Sequence, residues 1–554
     1  MKKLLLPILL AAATVAAVAP GATAQTTCPA APTTVVATNI TSDTRWTKDN
    51  IYLLQGYVYV RSGATLTIDP GTIIKGDKAV TPGGTLVVEQ GAKIIADGTA
   101  AQPIVFTSNQ PAGSRNRGDW GGIVICGRAP INQPGTPSVE GVPGAVFGGN
   151  QPADNSGILR YVRIEYPGIA LATNNEINGL TLAGVGSGTT IDYVQVYASG
   201  DDSFEWFGGT VNAKHLVAVS ATDDDFDTDF GYTGKVQYAV TVRTPNAADV
   251  SGSTAFESDN DSQGSSLTPI TAPVFSNVSA FLQNPSATAN FTRAIHLRRN
   301  TQLSLFNSVL TGWPVGLTLE GSGAQGNATA GSLVLKNNVL AGMSTNFQAA
   351  GTGTTTYDVA GFWNTAANSN TTYAAISALN LYADNFNATN SNGTASGTPS
   401  FELPAASPLV SGAAYTDAKL ADSFFDKTPT FRGAFGATNW AAGWTNFNPQ
   451  ITCYNRAGLT LANKPASSEQ LQGLSVAPNP TAGEALLSFE LKTGTVAAVR
   501  ITDALGRQVA TIEAGRLGAG LQQVALPASL KNGVYVATVT TNEASQTVRF
   551  VVAQ

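Results

Sequence analysis

Short apolar strands recur along this chain at intervals of about 20 to 30 residues, and that spacing limits what the chain can fold into. Leu66-Thr67-Ile68-Asp69-Pro70-Gly71-Thr72-Ile73-Ile74 is echoed 20 residues on by Leu86-Val87-Val88-Glu89-Gln90-Gly91-Ala92-Lys93-Ile94. Val194, Val217 and Val240 follow at steps of 23, each inside a short apolar strand. Asn307-Ser308-Val309-Leu310 returns 30 residues later as Asn337-Asn338-Val339-Leu340. Such drifting spacing, with Gly, Asn and Asp at the turns, predicts an all-β fold: a right-handed parallel β-helix, in which each coil buries its inward side chains by stacking on the next. A propeller repeats at about 40 residues or more, with four strands per blade, and fits worse. Composition agrees, with 57 Gly and only 12% charged residues, because low charge with many β-branched side chains favours strands over helices.

Charge is concentrated in one window. Residues 201–261 hold 12 acids and three bases, Lys214, Lys235 and Arg243, against a net charge of −6 for the whole chain. This balance argues against nucleic acid or anionic lipid as a partner. A 23-residue step carries Asp201-Asp202 onto Asp224-Asp225 and Phe207-Gly208 onto Phe230-Gly231. Carboxylates of successive coils then lie about 4.8 Å apart, where one must take a proton or share a cation. Three readings stay open. In the first the acids are solvated turn residues. In the second Asp201, Asp202, Asp224, Asp225 and Asp227 hold Ca2+, which takes about 6 to 8 oxygen ligands. In the third Asp202, Asp225 and Asp227 are the candidates for the acid pair of a polysaccharide hydrolase, with Arg298 as the base of a lyase in the alternative. Asp223 to Asp229 is no EF-hand loop, lacking Gly at the sixth position.

Other residues add little to an enzymatic case. His215 reads as a surface-strand residue. In Arg293-Ala294-Ile295-His296-Leu297-Arg298-Arg299 the alternation puts His296 and Arg298 outward, where neutralising nearby acids is the favoured role. Trp206, Phe207, Phe226, Phe230 and Tyr232 interleave with the acids and are expected mainly in the core, though aromatic faces also stack on sugars. No nucleophile triad, zinc spacing or phosphate loop is recognisable.

The two ends describe export. Lys2 and Lys3 precede an apolar run from Leu4 to Val18 and a small-residue site at Ala22-Thr23-Ala24, the pattern of a signal peptide over 1–24. No other stretch is long and apolar enough to span a membrane. Of the three cysteines, Cys126 sits in the strand-like Ile123-Val124-Ile125-Cys126 and is expected buried and reduced; Cys28 and Cys453 are the candidate disulfide pair. The body is expected over 25–463, with capping or inserted segments at about 349–447 that include one helix at 371–385. A linker follows at 464–473 and a last unit at 474–554.

That last unit alternates apolar and polar residues between Gly, Pro and Asn turns, which predicts about seven short antiparallel strands in a small sandwich. It carries Pro478-Asn479-Pro480, a turn ending Leu505-Gly506-Arg507, and Asn532-Gly533-Val534-Tyr535. In this order the motifs resemble the C-terminal sorting domain of type IX secretion cargo, over the whole segment. The resemblance implies handling by the type IX machinery through Pro478, Asn479, Pro480, Gly506, Arg507, Gly533 and Tyr535. It also implies removal of the tail, and release or attachment at the outer-membrane surface. The body, on its repeat style and on stretches such as GDW-GG (118–122), YVRIEY (161–166) and WFGG (206–209), resembles secreted pectin-lyase-like β-helix proteins, a likeness that implies a fold and no activity. The leading expectation is an exported, non-catalytic surface protein that binds Ca2+, with an adhesive, structural or glycan-binding role and extracellular polysaccharide as a possible partner. The alternative is a polysaccharide hydrolase or lyase using residues 201–261.

Overall fold

A computed structural model of the chain describes residue 28 and residues 31–172, 175–282, 290–386, 398–461, 471–503, 507–541 and 545–553. The expected signal peptide, most of the expected linker and Gly506 lie outside them. Ten strands, from Tyr57–Val60 to Thr345–Ala350, stack in chain order as one parallel sheet. A second sheet of seventeen strands supplies the rest of each coil. It bends sharply: the long strands Gly157–Glu165, Thr190–Tyr197, Asn212–Val219, Lys235–Val242 and Val274–Phe281 each turn a corner at one residue with positive φ. Those residues are Tyr161 (49°), Tyr193 (54°), His215 (51°), Tyr238 (63°) and Asn277 (57°), continued by Asn307 (54°) and Asn337 (59°).

Side chains in the left-handed region are strained, and bulky ones most of all. Here the strain is offset by stacking. The Tyr161 and Tyr193 rings lie 4.4 Å apart, Tyr193 and His215 4.1 Å, and His215 and Tyr238 5.2 Å, all nearly parallel. Inside the coils Phe204, Phe226 and Phe256 form a second stack, and Trp206 is fully buried beside Tyr232. The aromatics expected in the core are therefore there, while Phe207 and Phe230 pack outside, Phe207 against Phe147 of an overlying segment.

The repeat seen at 20 residues is not a coil. Leu66 pairs with Ile94, 28 positions on, whereas Leu86 pairs with Val58 and Ile123 in the other sheet. The two echoing stretches are two corners of the winding, alike because each is a strand, a Gly turn and a strand. The 30-residue echo is a true coil, with Val309 on Val339.

The segment after the last coil departs from expectation. In place of a helix over 371–385 there is a strand Thr371–Tyr373, which extends the second sheet on Val339–Ala341, and 3-10 turns at Ile376–Leu379 and Ala383–Phe386. The apolar residues there face the end of a sheet, so pairing overrides a weak helical pattern. Val359–Trp363 is a single short helix packed on the last strand, Thr345–Ala350. From about 401 the chain then runs back along the corner ladder as a strap. Ala414 meets Asn307, Gly433 meets Asn277 and Asn307, Asn446 meets Gln195, Pro449 meets Arg115, and Leu459 meets Gly71. Trp444 sets its edge against both Tyr161 and Tyr193. A Cβ on Gly433 would lie 2.7 Å from Ser279 Oγ, so only glycine lets the strap come this close. The strap brings Cys453 to Cys28, and a disulfide joins them with their Cα atoms 5.5 Å apart. Cys126 is buried and free.

Residues 471–552 form seven antiparallel strands in sheets of three and four around a core of their own, including Leu487, Phe489, Ile501 and Phe550. Four of the motif residues take part in this unit's packing and hydrogen bonding. Asn479 bonds both ways to the last strand, at Arg549 O and Val551 N, and Arg507 pairs with Asp503. Gly533 opens a strand in which Tyr535 stacks on Phe550. One prediction follows for the strap. Trp444→Ala removes a ring that is 1% exposed and wedged against the ladder, and should destabilise the body by about 3 to 5 kcal/mol in urea unfolding; a loss below about 1 kcal/mol would mean the strap only rests on the coils.

Candidate metal centre on the acidic face

In the ten-stranded sheet, inward residues alternate with outward ones. Phe204 and Trp206 point in and Glu205 out; Phe226 points in and Asp227 out; Phe256 and Ile295 point in, leaving Glu257 and His296 out. The register places Glu205 beside Asp227, Asp227 beside Glu257, Glu257 beside His296, and His296 beside Thr318. One row of ionisable side chains therefore crosses four coils. The sequence carried a signal for it in the dipeptides Phe204-Glu205, Phe226-Asp227 and Phe256-Glu257, which the uneven coil lengths concealed.

The register corrects the expected 23-residue step. Phe204 pairs with Phe226 and Val194 with Leu216, a step of 22; the step of 23 holds only for the next coil, Val217 on Val240. Asp202 thus meets Asp224, whose backbone N–H donates to Asp202 Oδ1 at 2.7 Å. The candidate ligand set changes with it. Oxygens of Asp201, Asp202 and Asp223 lie within 4.8 Å of one another, and so do those of Asp202, Glu205 and Asp227. Asp223 and Glu205 enter; Asp224 and Asp225 do not. Asp224 accepts from the Thr254 backbone N–H. Asp225 turns into the protein and pairs with Arg243 at 3.3 Å, both side chains fully buried. Arg243 also donates to the carbonyls of Ala221, Asp223 and Thr254, so it holds the loop that presents Asp223.

No ion pair among the described residues reaches Asp201, Asp202, Glu205, Asp223 or Asp227. Burial raises all five above the ordinary carboxylate range, and each is raised further by its neighbours: Asp201 by Asp223, Asp202 by Asp201 and Asp224, Glu205 by Asp201 and Asp229, Asp223 by Asp224 and Asp249, Asp227 by Glu205 and Glu257. Asp224 and Asp229 are each pushed up to about 8, mainly by burial. Glu140 and Glu176, on the segments that overlie this face, add to the repulsion on Asp201. Asp227 Oδ1 is buried and accepts no hydrogen bond.

The other end of the row is compensated. His296, 2% exposed, lies between Glu257 (3.2 Å) and Glu320 (2.7 Å). Arg298 pairs with Glu257 and Asp259, and Arg299 with Asp259. Burial would raise Glu257, but His296 and Arg298 overcome it and hold the carboxyl low. Burial opposes the charge on Arg298, yet Glu257 and Asp259 keep the guanidinium above its ordinary value. An arginine so held donates to acids and is a poor base. His215 belongs to the corner ladder, with Nδ1 2.8 Å from Asp192.

Comparison with known families matches residues 38–445 to the pectate-lyase-like β-helix domain and residues 475–553 to the secretion system C-terminal sorting domain. No curated protein matches the chain. The sorting domain implies handling by the type IX machinery and secretion or attachment at the cell surface. No helix among the described residues is long and apolar enough to cross a membrane.

Two predictions follow from the electrostatics. Carboxyls raised in the folded state bind extra protons there, so without divalent cations stability should grow as the pH falls from about 8 toward the ordinary range near 4. Glu257 and Glu320 are held low, so their contribution is lost only below that range. Melting temperatures in chelator should therefore be higher at pH 5.5 than at pH 8; the reverse order would contradict the raised values. Separately, Arg243→Met should cost about 3 to 5 kcal/mol by stranding Asp225, while adding Asp225→Leu should recover much of the loss in the same unfolding assay.

Proposed function

The chain belongs to the pectate-lyase-like β-helix domain family, and from that membership we propose that it is an exported, non-catalytic surface protein whose acidic face binds Ca2+. The ion joins adjacent coils and sustains an adhesive, structural or glycan-binding role. The observation that carries this reading is the group Asp201, Asp202 and Asp223, drawn from two coils, with oxygens within 4.8 Å and no ion pair to a basic side chain among the described residues. Stacked carboxylates without a cation repel or take protons. Calcium accepts an irregular cage of carboxylates, which Mg2+ does not. Attachment at the surface puts the site where calcium is plentiful, and removal of the sorting tail leaves the coil body as the mature protein.

A polysaccharide hydrolase is the second reading, favoured by one observation. Asp227, raised by burial and by Glu205, is the register partner of Glu257, held low by His296 and Arg298. Opposed environments of this kind mark an acid and a base, and neighbouring strands about 4.8 Å apart can bring two carboxyls to the ~5 to 5.5 Å used by retaining glycosidases.

Thermal melting of the full chain separates the readings. Calcium at a hundredfold excess over Kd should stabilise it by about 2.7 kcal/mol relative to chelator. Asp202→Asn should abolish most of that response. Superimposed melts with calcium and with chelator would overturn the calcium reading. Glycan turnover that Asp227→Asn abolishes without moving the melt would establish the hydrolase instead.

A further inference from the structure

Polar side chains meet inside the coils at one corner, under the loop that carries Asp223 and Asp224. Along Lys235–Val242 the alternation sends Val240 and Val242 outward beneath the strap, and Ala239 and Thr241 inward. Arg243 follows Thr241 on the inward side, its guanidinium 5.2 Å over the core ring of Phe291. Thr254 comes from the next strand, Ser253–Ser258, two places before the core residue Phe256. Its carbonyl accepts from the Asp225 amide and from Arg243, each at 3.3 Å, which sets these residues side by side. Ser203 and Asp225 directly precede the paired Phe204 and Phe226, so they are neighbours in adjacent coils. Ser203, Asp225, Thr241, Arg243 and Thr254 are all fully buried.

Their hydrogen bonding does not close. Among the described residues, neither oxygen of Asp225 accepts a hydrogen bond, and Ser203 Oγ, Thr241 Oγ1, Thr254 Oγ1 and Arg243 Nε have no partner. Burial raises the Asp225 carboxyl to about 6, against Arg243 and the Thr241 hydroxyl, which favour its charged form. Thr241 is thus close to Asp225 without bonding to it directly. Folded proteins rarely leave buried polar atoms unpaired, and here six converge. A polar pair just beyond direct reach is where a bridging water sits. The corner also has room: Ala218 and Ala280, the register partners of Thr241, are small core residues in the coils on either side.

The unpaired atoms also define the guest. Arg243 repels a cation, Asp225 repels an anion, and together the two are neutral. Asp225 offers only acceptors, Arg243 Nε only a donor, and the three hydroxyls can be either. The guest must be small, uncharged, and able to donate and accept at once. We infer that this corner is a binding site for ordered water, with at least one molecule bridging Asp225 to Thr241. A buried water makes about three hydrogen bonds to the protein, so two waters bonded to one another would serve all six atoms. The site is independent of calcium. It solvates the charged Asp225 beside Arg243, and Arg243 in turn holds the loop of Asp223 through the Ala221 and Asp223 carbonyls.

A high-resolution crystal structure of the full chain tests it. A water oxygen is expected about 2.6 to 3.0 Å from both an Asp225 oxygen and Thr241 Oγ1. A direct bond from Thr241 to Asp225 with no water between them, or an ion in its place, would overturn the site. Magnetic relaxation dispersion of the water oxygen gives a second readout, because it counts long-lived internal waters in solution. Thr241→Val removes the hydroxyl and keeps the shape. It should lower that count and the urea midpoint, and Thr241→Ser should restore both. A count unchanged in Thr241→Val would overturn the bridge. The native crystal structure decides the question if the valine variant does not fold.

Discussion

Everything in the body of this protein depends on parallel strand stacking at a fixed spacing. One coil cannot bury its inward residues alone; it is completed by the coil on either side. The same spacing turns each position into a row, and a row repeats whatever the sequence places there. Rows of Phe make the core, a row of residues with positive φ makes the corner, and a row of acids makes an electrostatic conflict. These are three outcomes of one geometry, distinguished only by side-chain chemistry.

The corner row shows how strain and its offset can share residues. Tyr161, Tyr193, His215 and Tyr238 occupy a backbone region that L side chains avoid, and their rings recover the cost by stacking. When the row changes to Asn277, Asn307 and Asn337, the currency changes from stacking to hydrogen bonding: Asn277 reaches the Phe431 and Gly433 carbonyls, and Asn307 the Ala414 carbonyl. Asparagine tolerates this conformation better than tyrosine does. The strap follows the change, offering Trp440 and Trp444 to the rings and backbone to the amides.

Much of the fold was legible because period and turn residues report it directly. The coils, the seven strands of the tail and the burial of Cys126 were read from alternation. The stretches GDW-GG and YVRIEY turn out to be packing devices: the Trp120 indole N–H donates to the Glu165 carbonyl, and a Cβ on residue 76 would lie 2.3 Å from the Trp120 Cβ and 2.5 Å from its ring, so Gly76 is required. Register was less legible. Leu216 and Val217 are both apolar, so a step of 22 and a step of 23 look alike in sequence, yet a slip of one exchanges every outward residue for an inward one. That single residue exchanged Asp223 for Asp224 in the candidate site. The partners of Glu257 were hidden for a different reason: His296 lies 39 positions on, beyond any regular repeat. The path of the strap was equally hidden, since irregular backbone leaves no periodic trace.

The strap has a mechanical consequence. It leaves the last coil, returns past the whole stack, and ends beside the first coils, where Leu459 bonds to Gly71, Leu461 to Ala101, and Cys453 to Cys28. Both chain ends of the body therefore emerge at one end of the stack. Tension drawn on the chain beyond Leu461 enters at the first coils and passes to the amino-terminal segment through a covalent bond. The intervening coils lie outside that load path, as a flag lies outside the tension in its pole. A body tethered this way can be pulled without being unwound.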